Sequence, residues 1–347
     1  MFVKKYLNFL NLKIIFRCDA ADIPEISTGH LYRSIIVANF LKRKFNIRSQ
    51  QIGFVVKTKN KYSKNLQILK NYNFRILKLN NNIKDYSKEE ARYLSKHKAN
   101  LLVIDRLGKI KKKFFDTIKN NYNKKIIFDD SSYYRKLFDL SLNPLIQNVP
   151  KFKNSRIGYK YQILQYPIKT KFKLQKNINN IFLFFGGFDK KKHSLKVVKQ
   201  LNKITPKLNI ILPTNYRRLI RKIKSKHKMI FYESKEYLKK LSISNIAITG
   251  GGIALFDSIL NKKKIICIPQ YYHQKINAKK IAKTKAVNFL DSNDKKFNIK
   301  FLKVFSKIYD DERYQRKINT IQNRIINIKM LSKTFRLISK IYEKSKN

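Results

Sequence analysis

Apolar positions along this chain come in short runs, and between them lie lysine-rich stretches of helix length. Residues 13–18, 52–56, 74–79, 100–105 and 125–129 read as strands, and the block from His30 to Leu41 reads as an amphipathic helix. A second series of strand-like runs begins at 180–185 and continues at 208–212, 229–232, 246–249, 264–269 and 287–290. Strands that alternate with helix-length blocks predict parallel sheets joined by right-handed crossovers. Pro144 stops regular structure after Asn143, and the stretch that follows, holding Gly158 and Tyr161, reads as a crossing between domains. The expected organisation is an N-terminal Rossmann-like domain over 12–150, a linker over 151–178 and a C-terminal Rossmann-like domain over 179–347. The apolar tail of the latter, from Phe297, predicts two helices. The expected fold class is α/β, with the two Rossmann-like domains facing a central cleft.

One stretch stands out within this pattern. Residues 246–249 run straight into Gly250, Gly251 and Gly252, and an apolar helical pattern follows. That order predicts a buried parallel strand, a tight turn and a helix start. Free N–H groups and the positive helix end would then face whatever lies above the turn, a natural seat for a phosphate or diphosphate. Five of the nine glycines lie here or in Gly186-Gly187, which suggests backbone that turns tightly or approaches a ligand closely. A tight strand-to-helix connection without a ligand is the alternative.

Composition narrows the classes. With 347 residues, 43% of them hydrophobic, the chain is long enough for two cores and is no disordered polymer. Its 79 Lys and Arg against 21 Asp and Glu give a formal charge of +58, which alone points to nucleic acid or an anionic membrane. The lysines are spread along the whole chain beside abundant Asn and Ile, the mark of a general bias in residue usage. No zinc-finger spacing, basic-region heptad or RNA-recognition aromatic signature accompanies them, so no nucleic-acid partner is expected. Cys18 and Cys267 each sit at or near the end of an apolar run and are expected to be buried, reduced thiols. The five histidines are scattered, and neither a metal nor a cofactor is expected. No apolar run reaches membrane-spanning length, and the first ten residues are only faintly signal-like. A cytoplasmic protein without stable membrane insertion is expected.

Open α/β sheets bind ligands at the carboxyl ends of their strands. Those ends offer Arg17 and Asp19, then Gly29-His30 at a helix start, then Asp105 and Asp129-Asp130. The second series offers Gly186-Gly187 with Asp189, the triple glycine, and the 269–274 segment with His273 and Gln274. For Asp130 and Asp189 a helix cap or a surface charge is the preferred reading. His30, at a helix N-terminus, suits a proton-accepting role.

These residues carry a family resemblance. The segment from Phe16 to Asp19, followed by Ser27-Thr-Gly29-His30-Leu-Tyr-Arg33, resembles the G-x-G-H-x-x-R element of the UDP-sugar hydrolases of pseudaminic acid synthesis and of related spore-coat polysaccharide proteins. The resemblance continues through Asp105, Asp129-Asp130, Asp139, Asn143, Gly158 to Leu164, Gly186 to Asp189 and the triple glycine, covering roughly residues 12 to 290 in order. These proteins are similar in fold to GT-B glycosyltransferases. The resemblance implies a GT-B-like fold and hydrolysis of a UDP-linked diacetamido-trideoxyhexose to UDP and free sugar. It implies His30 as general base on the attacking water, and Gly250, Gly251 and Gly252 as the diphosphate seat. It places Asp257 where related enzymes hold the ribose hydroxyls. Arg17, Asp19, Gly29, Arg33, Asp105, Gly186, Gly187, His273 and Gln274 are expected to complete the substrate site. By the same reading, a side chain at Gly251 would block the phosphate. Three positions depart from the family pattern: Ser27 replaces the first glycine, Arg106-Leu107-Gly108 lacks the usual aromatic, and His273 replaces an asparagine.

Two other readings compete. One is a GT-B glycosyltransferase using the same donor site with an alcohol in place of water. The other is a basic nucleic-acid or membrane-surface binding protein, whose binding would be weakened by salt and indifferent to His30 and the glycine turn.

Overall fold

The two series of apolar runs form two separate sheets, in which every strand pairing is parallel. The computed structural model describes residues 11–21, 28–168 and 179–346; the first ten residues, Ser27 and residues 169–178 of the expected linker lie outside them. The chain divides into one unit of residues 1–163 and 329–347 and a second unit of residues 164–328.

The first unit is built on β1 (Ile14–Cys18), β2 (Ile52–Lys57), β3 (Arg75–Leu79), β4 (Ala99–Gly108), β5 (Tyr122–Asp130), β6 (Leu140–Asn143) and β7 (Ser155–Ile157), in the order β3-β2-β1-β4-β5-β6-β7. Its helices are α1 (Gly29–Phe45), α2 (Lys64–Lys70), α3 (Lys88–Ser95) and α4 (Lys112–Ile118). β1 and β2 are buried along their whole length, as strands covered on both faces must be. From β1 the chain builds outward to β3 and then returns to lay β4 on the other side, so the strand order reverses between β1 and β4. Cys18 pairs with Asp105 at that point, and ligands of open α/β sheets bind at such a reversal.

The second unit holds β8 (Asn180–Phe184), β9 (Asn209–Pro213), β10 (Lys228–Tyr232), β11 (Ile246–Thr249), β12 (Lys264–Cys267) and β13 (Asn288–Phe289), ordered β10-β9-β8-β11-β12-β13. Its helices are α5 (His193–Leu201), α6 (Arg217–Ile220), α7 (Tyr237–Ser242), α8 (Ile253–Leu260), α9 (Tyr272–Ala282), α10 (Phe297–Asp310) and α11 (Glu312–Ile325). The same reversal falls between β8 and β11, where Phe184 pairs with Thr249. Both glycine turns therefore start from one point of this sheet. Phe297, Phe301 and Phe305 of α10 join Ile181, Leu183, Ile246 and Ile266 in the core of this unit.

The structure differs from the sequence expectation in three places. The sheet of the first unit gains β6 and β7, so residues 151–163 belong to that unit rather than to a linker. The tail forms three helices instead of two. The third, α12 (Ile328–Glu343), packs on the first unit rather than the second. Its apolar face explains why: Phe335 meets Phe40 with ring centroids 4.6 Å apart, Tyr342 meets Phe45 at 4.8 Å, and Lys44 Nζ donates to Ser339 Oγ at 2.8 Å. Beyond the helix, Asn100 and Asn123 both donate to the Ser345 carbonyl. Cys18 and Cys267 are free and buried, and no helix among the described residues is long and apolar enough to cross a membrane.

Candidate active site

His30 and Arg33 stand three residues apart in the first turn of α1, a spacing that puts both on one face of the helix. That face meets the end of β4. His30 Nδ1 lies 2.8 Å from Asp105 Oδ1, and Arg33 grips the same carboxylate from the side, Nε to Oδ2 at 2.7 Å and Nη2 to Oδ1 at 2.5 Å. Burial alone would raise the Asp105 carboxyl, but the Arg33 guanidinium and the His30 contact outweigh it and hold the group below the ordinary carboxylate value. Asp105 is thus an ionised acceptor, which assigns the shared proton to His30 Nδ1 and leaves Nε2 as the basic nitrogen. Nε2 has no hydrogen-bond partner among the described residues, and His30 keeps 9% of its surface exposed.

Arg33 has one further carboxylate partner. Its Nη1 donates to Asp129 Oδ2 at 2.7 Å, while Asp129 Oδ1 accepts from the backbone N–H of Leu145 at 2.9 Å and of Ile146 at 3.2 Å. Asp129 sits at the end of β5 in the left-handed region, with φ 47°. Asp130 is buried and serves the local turn instead, accepting from Ser132 and from the Ile110 N–H; it is neither a helix cap nor a surface charge. Arg33 and Asp105 are both 0% exposed. They were expected to touch substrate; the structure buries them behind His30, where they orient the imidazole. Gly29 opens the helix that carries the pair.

Arg17 and Asp19 form a different cluster. Arg17, 0% exposed, donates from Nε to Glu90 at 2.6 Å and from Nη1 to Asp19 at 2.6 Å. Arg106 closes the other side of Glu90 with bonds of 2.6 and 2.5 Å. Burial would raise the Glu90 carboxyl, but Arg17 and Arg106 hold it well below its ordinary value. With their polar atoms turned inward, Arg17 and Asp19 brace β1, β2 and α3 and offer a ligand no surface, contrary to the expectation from their strand-end positions. Sequence reading passed over Glu90. Ser87 and Glu90 stand at the spacing of a helix-capping box, and Ser87 does accept from the Glu90 N–H at 3.2 Å. The Glu90 carboxylate, however, turns to the two arginines and the Tyr86 N–H.

In the second unit the glycine turns and the start of α9 converge at the β8/β11 reversal. Gly186 adopts φ 103°, a conformation open to glycine, and Tyr216 Oη ties the turn by donating to Gly186 O at 2.7 Å and accepting from Phe185 N at 2.9 Å. Gly187 continues the turn, and Asp189 then caps α5, accepting from His193 N at 2.9 Å and Ser194 N at 2.7 Å. Gly250 N donates to Phe184 O at 3.2 Å, whereas the N–H groups of Gly251 and Gly252 find no acceptor among the described residues. They lead into α8, so the positive helix end and the free donors lie together. Gln270, unforeseen from sequence, is 2% exposed and holds this layout: its Nε2 donates to Phe185 O and Phe188 O, and its N–H to Gln274 Oε1 at 3.1 Å.

Asp257 lies on α8, 7% exposed, and accepts from Tyr237 Oη at 3.0 Å; burial pushes its carboxyl up to about 7. His273 sits in the first turn of α9 rather than in a loop, exposed and stacked on Tyr271. The departures at Ser27 and at the Leu107 side chain lie outside the described residues. Among the described residues no cluster of three His, Cys, Asp or Glu is placed to hold a metal ion.

No family model matches this sequence, and no curated protein does. Solved structures do match over nearly the full chain. MurG of Acinetobacter baumannii superposes with a TM-score of 0.64 at 12% identity, over 94% of this chain and 99% of its own. The spinosyn rhamnosyltransferase SpnG gives 0.63 at 12% identity, over 95% and 100%. The glycosyltransferase VinC in complex with dTDP gives 0.61 at 9% identity, over 96% and 100%. At such identities the likeness establishes the fold alone: two parallel-sheet Rossmann-like domains of the GT-B glycosyltransferase type.

Proposed function

We propose that this chain is a glycosyl-transferring enzyme that takes its sugar from a uridine or thymidine diphosphate donor. The observation that carries this reading is the His30–Asp105 pair, an oriented imidazole with its Nε2 free, set at the strand-order reversal of a GT-B fold. His30 Nε2 takes the proton of an acceptor hydroxyl as its oxygen attacks the anomeric carbon. Asp105 stabilises the imidazolium that forms. The bond from the anomeric carbon to the phosphate oxygen breaks, and the electron pair leaves with the nucleoside diphosphate. The N–H groups of Gly251 and Gly252 and the start of α8 receive that developing charge. Asp257, with Tyr237 beside it, is assigned to the ribose hydroxyls. A single displacement of this kind inverts the anomeric configuration.

Hydrolysis is the second reading, with water in place of the acceptor. The Gly29-His30-Leu-Tyr-Arg33 element favours it, since it resembles the UDP-sugar hydrolases of pseudaminic acid synthesis at the residues that build the His30 cluster. Both readings use the same base and the same diphosphate seat. They separate on one experiment: nucleotide release from a panel of UDP- and TDP-sugars, with and without alcohol acceptors, by the parent and by His30→Gln. Release that needs an acceptor and vanishes in the variant supports transfer, and release in water alone supports hydrolysis. Release that persists in the variant overturns both.

A further inference from the structure

The two buried charge clusters of the first unit differ in balance. Around Glu90, three basic side chains (Arg17, Arg106, Lys57) are matched in number by three carboxyl groups (Asp19, Asp85, Glu90). Behind His30, a single guanidinium, Arg33, is shared by two carboxylates, Asp105 and Asp129. Both oxygens of Asp129 accept N–H bonds, from Arg33 on one side and from Leu145 and Ile146 on the other, an acceptor-only arrangement that suits a carboxylate. Two carboxyl groups thus face one guanidinium, inside a chain whose formal charge is +58.

We propose that Asp129 is a positioning residue whose charge keeps the Arg33–Asp105 pair behind His30 net negative, and so makes the imidazole a competent base. The proposal rests on the reading of His30 as the base and adds what equips it for that role. With Arg33 and Asp105 alone, a guanidinium would neutralise the carboxylate, and a proton arriving on His30 would meet no net attraction. Asp129 draws on the far end of the same guanidinium and leaves the site one negative charge to set against the imidazolium. It also fixes direction: Nη1 tied to Asp129 leaves Nε and Nη2 to hold both Asp105 oxygens, one of which receives His30 Nδ1–H. The left-handed backbone of Asp129 is held by its bonds to Leu145 and Ile146. Arg33 Nη2 also lies 3.3 Å from His30 Nδ1, so the guanidinium itself faces the ring and the second carboxylate offsets it. From β1, the Cys18 thiol is kept neutral by burial, and Arg17 and Asp19 pair with each other.

The test needs no substrate, so it stands apart from the identity of the reaction. In protein with labelled histidines, the His30 ring signals are assigned by their loss in His30→Gln, and their proton titration is followed by NMR in the parent and in Asp129→Asn. The variant keeps the volume and removes the charge. The expected result is a His30 midpoint lower by about one pH unit, the size of one charge acting across a buried guanidinium. His97, His193, His227 and His273 should stay where they were, and Asp129→Glu, which restores the charge, should return the His30 midpoint towards the parent value. A His30 midpoint that is unchanged or higher in Asp129→Asn overturns the proposal. If that variant does not fold, the nitrogen shifts of His30 in the parent decide: a proton on Nδ1 with Nε2 bare supports it, and the opposite tautomer sinks it.

Discussion

The backbone carbonyl oxygen of Gln274 lies 2.6 Å from where the Cβ of any side chain at Gly251 would sit, and the Gln274 Cβ lies at 2.9 Å. Gly251 is therefore required by the packing of α9 against the turn, whether or not a phosphate is bound. Gly251→Val is expected to destabilise the second unit by roughly 1–3 kcal/mol through overpacking, read as a lower urea midpoint with and without nucleotide. Gly252 meets only the Gln274 amide nitrogen, at 3.4 Å. Gly252→Ala should stay within about 1 kcal/mol of the parent and lose roughly tenfold in nucleotide affinity by calorimetry, since the N–H remains but the added methyl crowds a phosphate that approaches the backbone closely. Equal affinity in that variant would remove the diphosphate from this turn.

His30→Gln should lower the rate of nucleotide release by a factor on the order of 10² to 10⁴ and leave nucleotide affinity within about twofold. In the proposed reaction the imidazole serves the nucleophile, whereas the donors assigned to the phosphates are backbone groups of another unit. A large loss of affinity would place His30 in binding instead.

Glu90→Gln removes the carboxylate on which Arg17 and Arg106 converge, leaving two buried guanidinium groups short of a partner. A loss of roughly 3 kcal/mol in unfolding free energy is expected, with nucleotide affinity unchanged. The pH dependence has a definite sign. The folded carboxyl lies below its unfolded value, so its contribution is complete at neutral pH. It fades only as pH falls below the ordinary carboxylate range. Parent and variant should therefore converge in stability in acid.

Asp257 has the opposite sign. Burial pushes its carboxyl up to about 7, so folding favours the protonated form. Its contribution is complete below the ordinary carboxylate range and is lost as pH rises towards 7. Denaturation of the parent and of Asp257→Asn across that window should show the variant gaining on the parent as pH rises. A constant difference would mean that Asp257 is ionised throughout.

The glycine turn at Gly250 to Gly252 was legible in sequence because a fully buried strand and an apolar helix flank it, and no other arrangement satisfies both periodicities. His30 and Asp105 were legible because they fall where a strand ends or a helix starts. Position says less about direction. Arg17 and Asp19 sit at a strand end yet turn inward to Glu90, whose spacing from Ser87 reads as a helix cap. The strands over 140–143 and 155–157 are too short to show a period. The docking of α12 depends on Phe40 and Phe45, nearly three hundred positions away in sequence, and no local pattern records a partner at that range.

The return of α12 to the first unit makes the second unit an insertion within the first. Synthesis completes residues 164–328 before the first unit receives its last helix, so the second unit is the one whose sequence is whole first. For the engineer it follows that exchanging the second unit between related folds takes two junctions, near 163 and near 329. A fragment ending at 163 would leave Phe40 and Phe45 of α1 uncovered.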